Sequence, residues 1–127
     1  MILPTQLHFH KKSQMLELGF SDGTHNSLSA EFLRVHSPSA EVRGHGIGQE
    51  KLQTGKSQVQ ILNIETSGNY ALKIVFNDGH DSGLYDWNYL AHLCRNQPVL
   101  WQQYLQKLES IGASREPQFI SATQLKS

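Results

Sequence analysis

Hydrophobic and polar residues alternate most clearly at the start of the chain. Leu7 and Phe9 alternate with Gln6, His8 and His10; after Lys11-Lys12-Ser13, the residues Leu16, Leu18 and Phe20 alternate with Met15, Glu17 and Gly19. A period of two with one apolar face is the pattern of half-buried strands, so this stretch predicts a hairpin. Asp22-Gly23 follows as a tight turn, because glycine readily takes the positive φ that such turns require. Ser27 or Ser29 can cap a short helix, Ala30–Val35, which Ser37-Pro38-Ser39 ends.

The second half repeats the pattern and then changes period. Strands are predicted over 58–66 and 70–76 around Ser67-Gly68-Asn69, with Leu72, Ile74 and Phe76 alternating with Ala71, Lys73 and Val75. Asn77-Asp78-Gly79-His80 reads as a second tight turn, a short strand ends at Tyr85, and Asp86 is a good helix N-cap. Trp87, Leu90, Ala91 and Cys94 then fall at i, i+3, i+4 and i+7, the single apolar stripe of a surface helix. Pro98 suits the first turn of a separate helix over 98–112, with a stripe of Trp101, Tyr104, Leu105 and Leu108 and a stop at Gly112. From Ala113 the residues are polar and aperiodic, which predicts a mobile tail over 113–127.

One echo links the halves. Phe20-Ser21-Asp22-Gly23, followed by Leu28 and a helix, recurs 56 residues later as Phe76-Asn77-Asp78-Gly79, followed by Leu84 and a helix. Two hairpins of similar sequence and a true duplication account for this equally well. Either gives an α+β fold, a two-layer sandwich of mainly antiparallel sheet with helices packed on one face. The expected organisation is one domain over 1–112.

Residues 36–57 fit neither period. Loops longer than about 12–15 residues are uncommon in compact domains and are often functional, so the working surface is expected here first. Thr54-Gly55-Lys56-Ser57 looks like the end of a phosphate-binding loop, but Glu50 stands where the first glycine is needed and no apolar strand precedes it. Gly44-His45-Gly46-Ile47-Gly48 is no dinucleotide fingerprint, because Gln49 occupies the third glycine position.

Composition narrows the classes. Eleven Lys+Arg balance eleven Asp+Glu in 127 residues. That balance argues against nucleic acid or an anionic membrane as partner. No apolar run is longer than three residues, as in Ile74-Val75-Phe76, far below the roughly 20 residues of a membrane helix. A cytoplasmic protein is expected, since the N-terminus has no secretory pattern and the single thiol fits a reducing compartment. That thiol, Cys94, sits on the apolar stripe and reads as core, and no Gly-x-Ser-x-Gly elbow is present.

Seven histidines are the unusual count. His8 and His10 share one strand face, and two ligands alone hold a metal weakly. His25 and His92 acquire no role. His36, His45 and His80 lie in loops near Glu41, Asp78 and Asp81, where metal ligands are often found. No histidine has Asp or Glu two residues later, so the signature of a catalytic iron triad is missing.

Three stretches carry a family resemblance. They are Leu33-Arg34-Val35-His36-Ser37-Pro38-Ser39-Ala40-Glu41-Val42, then Phe76-Asn77-Asp78-Gly79-His80, then Gly83-Leu84-Tyr85-Asp86-Trp87 with Leu90. Over about residues 4–95 the chain resembles the gamma-butyrobetaine hydroxylase N-terminal-like domain, a family of unknown function, here as a stand-alone member. In the carnitine-pathway hydroxylases this domain precedes the catalytic iron and 2-oxoglutarate domain, and it holds a structural zinc through three Cys and one His. The resemblance matches the Cys positions to Ser37, Ser39 and Val42, and the His to His80. Two hydroxyls and a valine do not replace three thiolates. The catalytic jelly roll has no counterpart in these residues, so no enzymatic activity and no cofactor are expected. A similar domain fused to P-loop ATPases that resemble iron–sulfur cluster carriers implies an accessory role in that metabolism.

The expectation is therefore a non-catalytic accessory domain that binds a protein partner or itself. Its surface would be the 36–57 loop and the Asp78–His80 turn, through Arg34, His36, Arg43, His45 and Asp78. The alternative is a zinc- or iron-binding accessory protein using His80, His36 and His45.

Overall fold

A computed structural model describes residues 2–39, 42, 51–81 and 83–117. Strands β1 (Pro4–His10), β2 (Met15–Phe20) and β3 (His25–Ser29) form one antiparallel sheet in that order, and β3 runs directly into helix α1 (Ala30–Val35). Strands β4 (Ile61–Ser67), β5 (Ala71–Phe76) and β6 (Leu84–Asp86) form a second antiparallel sheet in the same order, and β6 runs directly into α2 (Trp87–Ser110). The fold is α+β, as the patterning predicts, with its strands divided between two three-stranded sheets. Strand β3 has only one buried residue, Leu28. Its own alternation is therefore weak, and pairing with β2 from Met15↔Ser29 to Gly19↔His25 holds it.

The sequence echo is a structural repeat. In both halves the glycine N–H returns to the phenylalanine carbonyl, Gly23 to Phe20 at 3.0 Å and Gly79 to Phe76 at 3.2 Å. In both, the phenylalanine N–H reaches the residue after the glycine, Thr24 at 2.9 Å and His80 at 3.0 Å. Asp22 Oδ1 accepts from the Thr24 N–H and Asp78 Oδ1 from the His80 N–H. Gly23 and Gly79 sit at φ 90° and 87°, which an L side chain rarely tolerates.

Both helices start where their caps predict. The Ser29 side chain accepts from the Phe32 N–H at 3.0 Å, and that of Asp86 from the Tyr89 N–H at 2.7 Å. One apolar core joins Leu16, Leu18 and Leu28 from the first sheet to Leu72, Ile74 and Phe76 from the second, closed by Phe32, Leu33, Leu90 and Leu93. Gln14 ties the sheets together, for its backbone carbonyl accepts from the Ala30 N–H and its side-chain Oε1 from the Ile61 N–H.

Two boundaries differ from the patterning. The helix expected to begin at Pro98 is the second half of α2, which runs unbroken through the proline. Proline in a helix interior leaves the carbonyl four residues earlier without its donor. That carbonyl belongs to Cys94, and Asn26 Nδ2 donates to it at 3.1 Å. A side chain from the neighbouring sheet thus supplies the bond the helix lacks.

Residues 113–117, the start of the expected tail, are held against the domain. Arg115 makes a forked pair with the Glu31 carboxylate at 2.8 and 2.7 Å, and its guanidinium lies 5.1 Å from the centre of the Trp101 ring. Aperiodic polar residues give no core signal, yet a charge-assisted fork fixes them. Residues 118–127 lie outside the described residues. Among the described residues no helix is long and apolar enough to cross a membrane.

Candidate functional site

Three of the residues singled out from the sequence, Arg34, Asp78 and His80, meet where the end of α1 reaches the second Asp-Gly turn. Arg34, in the last turn of α1, points its guanidinium at this Asp-Gly turn. Its Nε donates to Asp78 Oδ2 at 2.9 Å and its Nη1 to Gln53 Oε1 at 3.1 Å. Lys56 Nζ donates to the same Asp78 oxygen at 2.6 Å. Burial pushes the Asp78 carboxyl up, but Lys56 and Arg34 outweigh it and hold the carboxyl below its ordinary value. The Arg34 side chain is only 8% exposed, so its charge is spent on this internal clamp.

The stretch 51–57 is fastened from both sides. Tyr104 Oη donates to the Gln53 carbonyl at 2.7 Å, and the N–H groups of Gly55 and Ser57 bond the carbonyls of Ser114 and Arg115. Thr54-Gly55-Lys56-Ser57 is therefore a structural loop in which Gly55 takes φ 67° and Lys56 serves Asp78.

His80 lies beside Asp78 and is buried among hydroxyls. Its Nε2 is 2.8 Å from Ser37 Oγ and 3.3 Å from Ser39 Oγ, and Ser37 Oγ also accepts the Ser39 N–H. Ser37, Ser39 and His80 are all buried, as is Val42, whose N–H bonds the Ser39 carbonyl. Gly83 completes the packing, because a Cβ there would stand 2.5 Å from Ser37 Oγ. The resemblance to zinc-holding relatives thus picks out three side chains that do meet. The set does not fit zinc. Serine hydroxyls are poor zinc ligands beside thiolates, valine offers no lone pair, and His80 Nε2 is hydrogen-bonded to Ser37.

His36 has different surroundings. Its Nδ1 donates to the Phe32 carbonyl at 2.9 Å, and its ring packs on that of Phe32 with centroids 4.4 Å apart. Burial holds its pKa below the ordinary value and favours the neutral ring. Tyr89 Oη donates to the His36 carbonyl at 2.6 Å. Arg43 and His45, named with it in the sequence, lie outside the described residues, as does Glu41. Cys94 is core, as its stripe predicts, and burial pushes its thiol up to about 11, the wrong direction for a nucleophile.

Two features escape sequence reasoning. Tyr85 Oη donates to the Leu33 carbonyl at 2.5 Å, fixing α1 from the second half of the chain. An apolar groove of about 350 Å³ runs between β1 and β4, the outer strands of the two sheets. Leu7, Phe9, Ile64 and Leu62 line it, and Leu62, at a register shift of β4, is 64% exposed. The one available signal was Leu62 breaking the alternation beside Ile61.

No curated protein matches the sequence. The family described as gamma-butyrobetaine hydroxylase-like, N-terminal, matches residues 7–91. Two proteins with NMR solution structures are similar throughout. One is 47% identical, covers 96% of both chains and has a TM-score of 0.82. The other is 48% identical over 96% of this chain and 91% of its own, with a TM-score of 0.77. A protein of unknown function from Acidithiobacillus ferrooxidans, known from a crystal structure, is 31% identical over 72% of this chain and 91% of its own, with a TM-score of 0.59. The resemblance read from the Leu33–Val42, Phe76–His80 and Gly83–Trp87 stretches is thus met on both sequence and fold, and the chain belongs to the gamma-butyrobetaine hydroxylase-like N-terminal domain family.

Proposed function

We propose that this chain is a non-catalytic interaction domain that binds a protein partner along the groove between β1 and β4. The groove carries the reading. It places exposed Leu7 and Leu62 between two outer strands, and an outer strand presents unpaired backbone donors and acceptors. An extended, apolar partner segment can pair with such an edge while its side chains enter the groove. The Arg34–Asp78 and Ser37–His80 contacts support the non-catalytic part, since these polar groups are bonded to one another. The histidine and arginine surface expected at 36–57 stays in the comparison as a separate set of substitutions. Proteins captured from extract by wild type, by Leu62→Asp and by a His36/Arg43/His45 triple alanine variant should be identified by mass spectrometry. Loss of a specific partner with Leu62→Asp, and its retention by the triple variant, is the expected result. Recovery of the same partners by Leu62→Asp overturns the proposal.

A further inference from the structure

The solvent face of the first sheet carries a cluster that neither the candidate site nor the groove uses. His8 and His10 lie two residues apart on β1 and project from one face. Glu17 on β2 stands directly across from His8, and His25 on β3 pairs with Gly19, two residues along from Glu17. Three adjacent strands thus deliver three imidazoles and a carboxylate to one patch. His10 Nε2 is 3.1 Å from Glu17 Oε1, and His25 Nε2 is 3.1 Å from Glu17 Oε2. The His8 and His10 rings stack with centroids 4.2 Å apart. One ligand atom from each of His8, His10 and Glu17 lies within 4.8 Å of the others.

We propose that His8, His10 and Glu17 form a three-ligand surface site for a borderline divalent transition-metal ion such as zinc, with water completing the shell. Imidazole nitrogen and carboxylate oxygen suit this class of ion. Donor atoms around a tetrahedral zinc at about 2.0–2.2 Å are roughly 3.3–3.6 Å apart, so the 3.1 Å spacing of His10 Nε2 and Glu17 Oε1 is already close to that of two ligands. The support is stiff. β2 is the central strand of its sheet, and Leu16 and Leu18 anchor its reverse face in the core. Side chains held by such a ladder lose little further freedom when they take a ligand. The patch is also open, with the His10 and His25 side chains 43% and 52% exposed, so an ion can enter without movement of the backbone. Sequence spacing places His8 and His10 on one face; the pairing of β1 with β2 supplies the third ligand, Glu17.

Calorimetric titration of tag-free protein with zinc chloride tests this. One equivalent should bind with a dissociation constant in the micromolar range. His10→Ala and Glu17→Gln should each weaken binding about tenfold or more, since each removes a direct ligand. His92→Ala, on α2, should leave the affinity unchanged. These residues are surface groups, so circular dichroism should show every variant folded. Absence of zinc binding by wild type, or equal affinity in a His8→Ala/His10→Ala variant, overturns the site.

Discussion

Asn26 donates its side-chain amide to the Cys94 carbonyl at 3.1 Å, the acceptor that Pro98 leaves without a helical partner. The bond ties β3 of the first repeat to α2 of the second and makes a proline tolerable in a 24-residue helix. Removing Asn26 strands a carbonyl next to buried Cys94, which should cost about 1–3 kcal/mol. Replacing Pro98 by alanine supplies the helical N–H donor that proline lacks. Asn26→Ala should therefore cost less in a Pro98→Ala background, with a coupling of about 1 kcal/mol in a urea-unfolding double-mutant cycle. Equal costs in the two backgrounds would contradict the compensation.

The two turn aspartates are held by arginines from the opposite repeat. Arg34 of α1 binds Asp78, and Arg95 of α2 binds Asp22 at 3.0 Å. The geometry is reciprocal but the energies should differ. Arg34 and Asp78 are 8% and 22% exposed, whereas Arg95 and Asp22 are 45% and 38% exposed. Arg34→Met leaves a shielded carboxylate with Lys56 as its remaining charged partner and should cost about 2–4 kcal/mol. Arg95→Met breaks a solvated pair and should cost less than about 1 kcal/mol. Chemical denaturation of the two variants side by side measures the contrast.

Gly83 is set by the Ser37–His80 contact. A Cβ at 83 would meet Ser37 Oγ at 2.5 Å and Pro38 Cδ at 3.1 Å. Ser37 is buried and short, so it cannot swing away cheaply. Gly83→Ala should destabilise by about 1–3 kcal/mol, the usual cost of overpacking. It should also shift the His80 ring resonances in an NMR spectrum, because the displaced hydroxyl is the one 2.8 Å from Nε2. An unchanged His80 signal would show that Ser37 does not transmit the strain.

The two levels of reading diverge for physical reasons. Ala30–Val35, its Ser29 cap, the Asp86 cap and both Asp-Gly turns are legible because local chemistry alone decides them. Strand β3 is not, since its stability comes from its pairing with β2. The same holds for α2 across Pro98, where the deciding donor is 68 residues away in sequence, at Asn26. At the candidate site the sequence identifies Arg34, Asp78 and His80 but not their use. Whether a charge faces a partner or closes an internal clamp depends on Gln53, which carries no signal of its own, and on Lys56, whose sequence context resembles a phosphate loop and does not point to Asp78. The His8–His10–Glu17 patch is hidden for a related reason: strand register, which sequence spacing does not encode, brings Glu17 to the two histidines.

Two partly shielded groups, His36 and Asp78, give stability two separate losses on acidification. His36 titrates below its ordinary value of 6.5 in the folded chain, because burial disfavours its cation. Above that pH neither state is protonated at His36 and its contribution is constant. Below it the unfolded chain takes up a proton that the folded chain refuses, so stability falls with pH down to the folded pKa. Asp78 acts lower. Its carboxyl titrates below its ordinary 3.8 because Lys56 and Arg34 outweigh the burial that pushes it up. The stability this gives is complete above the unfolded pKa and disappears as pH falls through the folded one. Urea midpoints measured from about pH 8 to about pH 3 should therefore decline in two stages. His36→Gln should remove the stage that begins near 6.5 while keeping the lower one. Asp78→Asn should lower stability at neutral pH, where the ion pairs are lost, and flatten the stage below 3.8. A wild-type profile that stays level from pH 6.5 down to 3.8 would mean that His36 is protonated as readily in the folded chain as in the unfolded one.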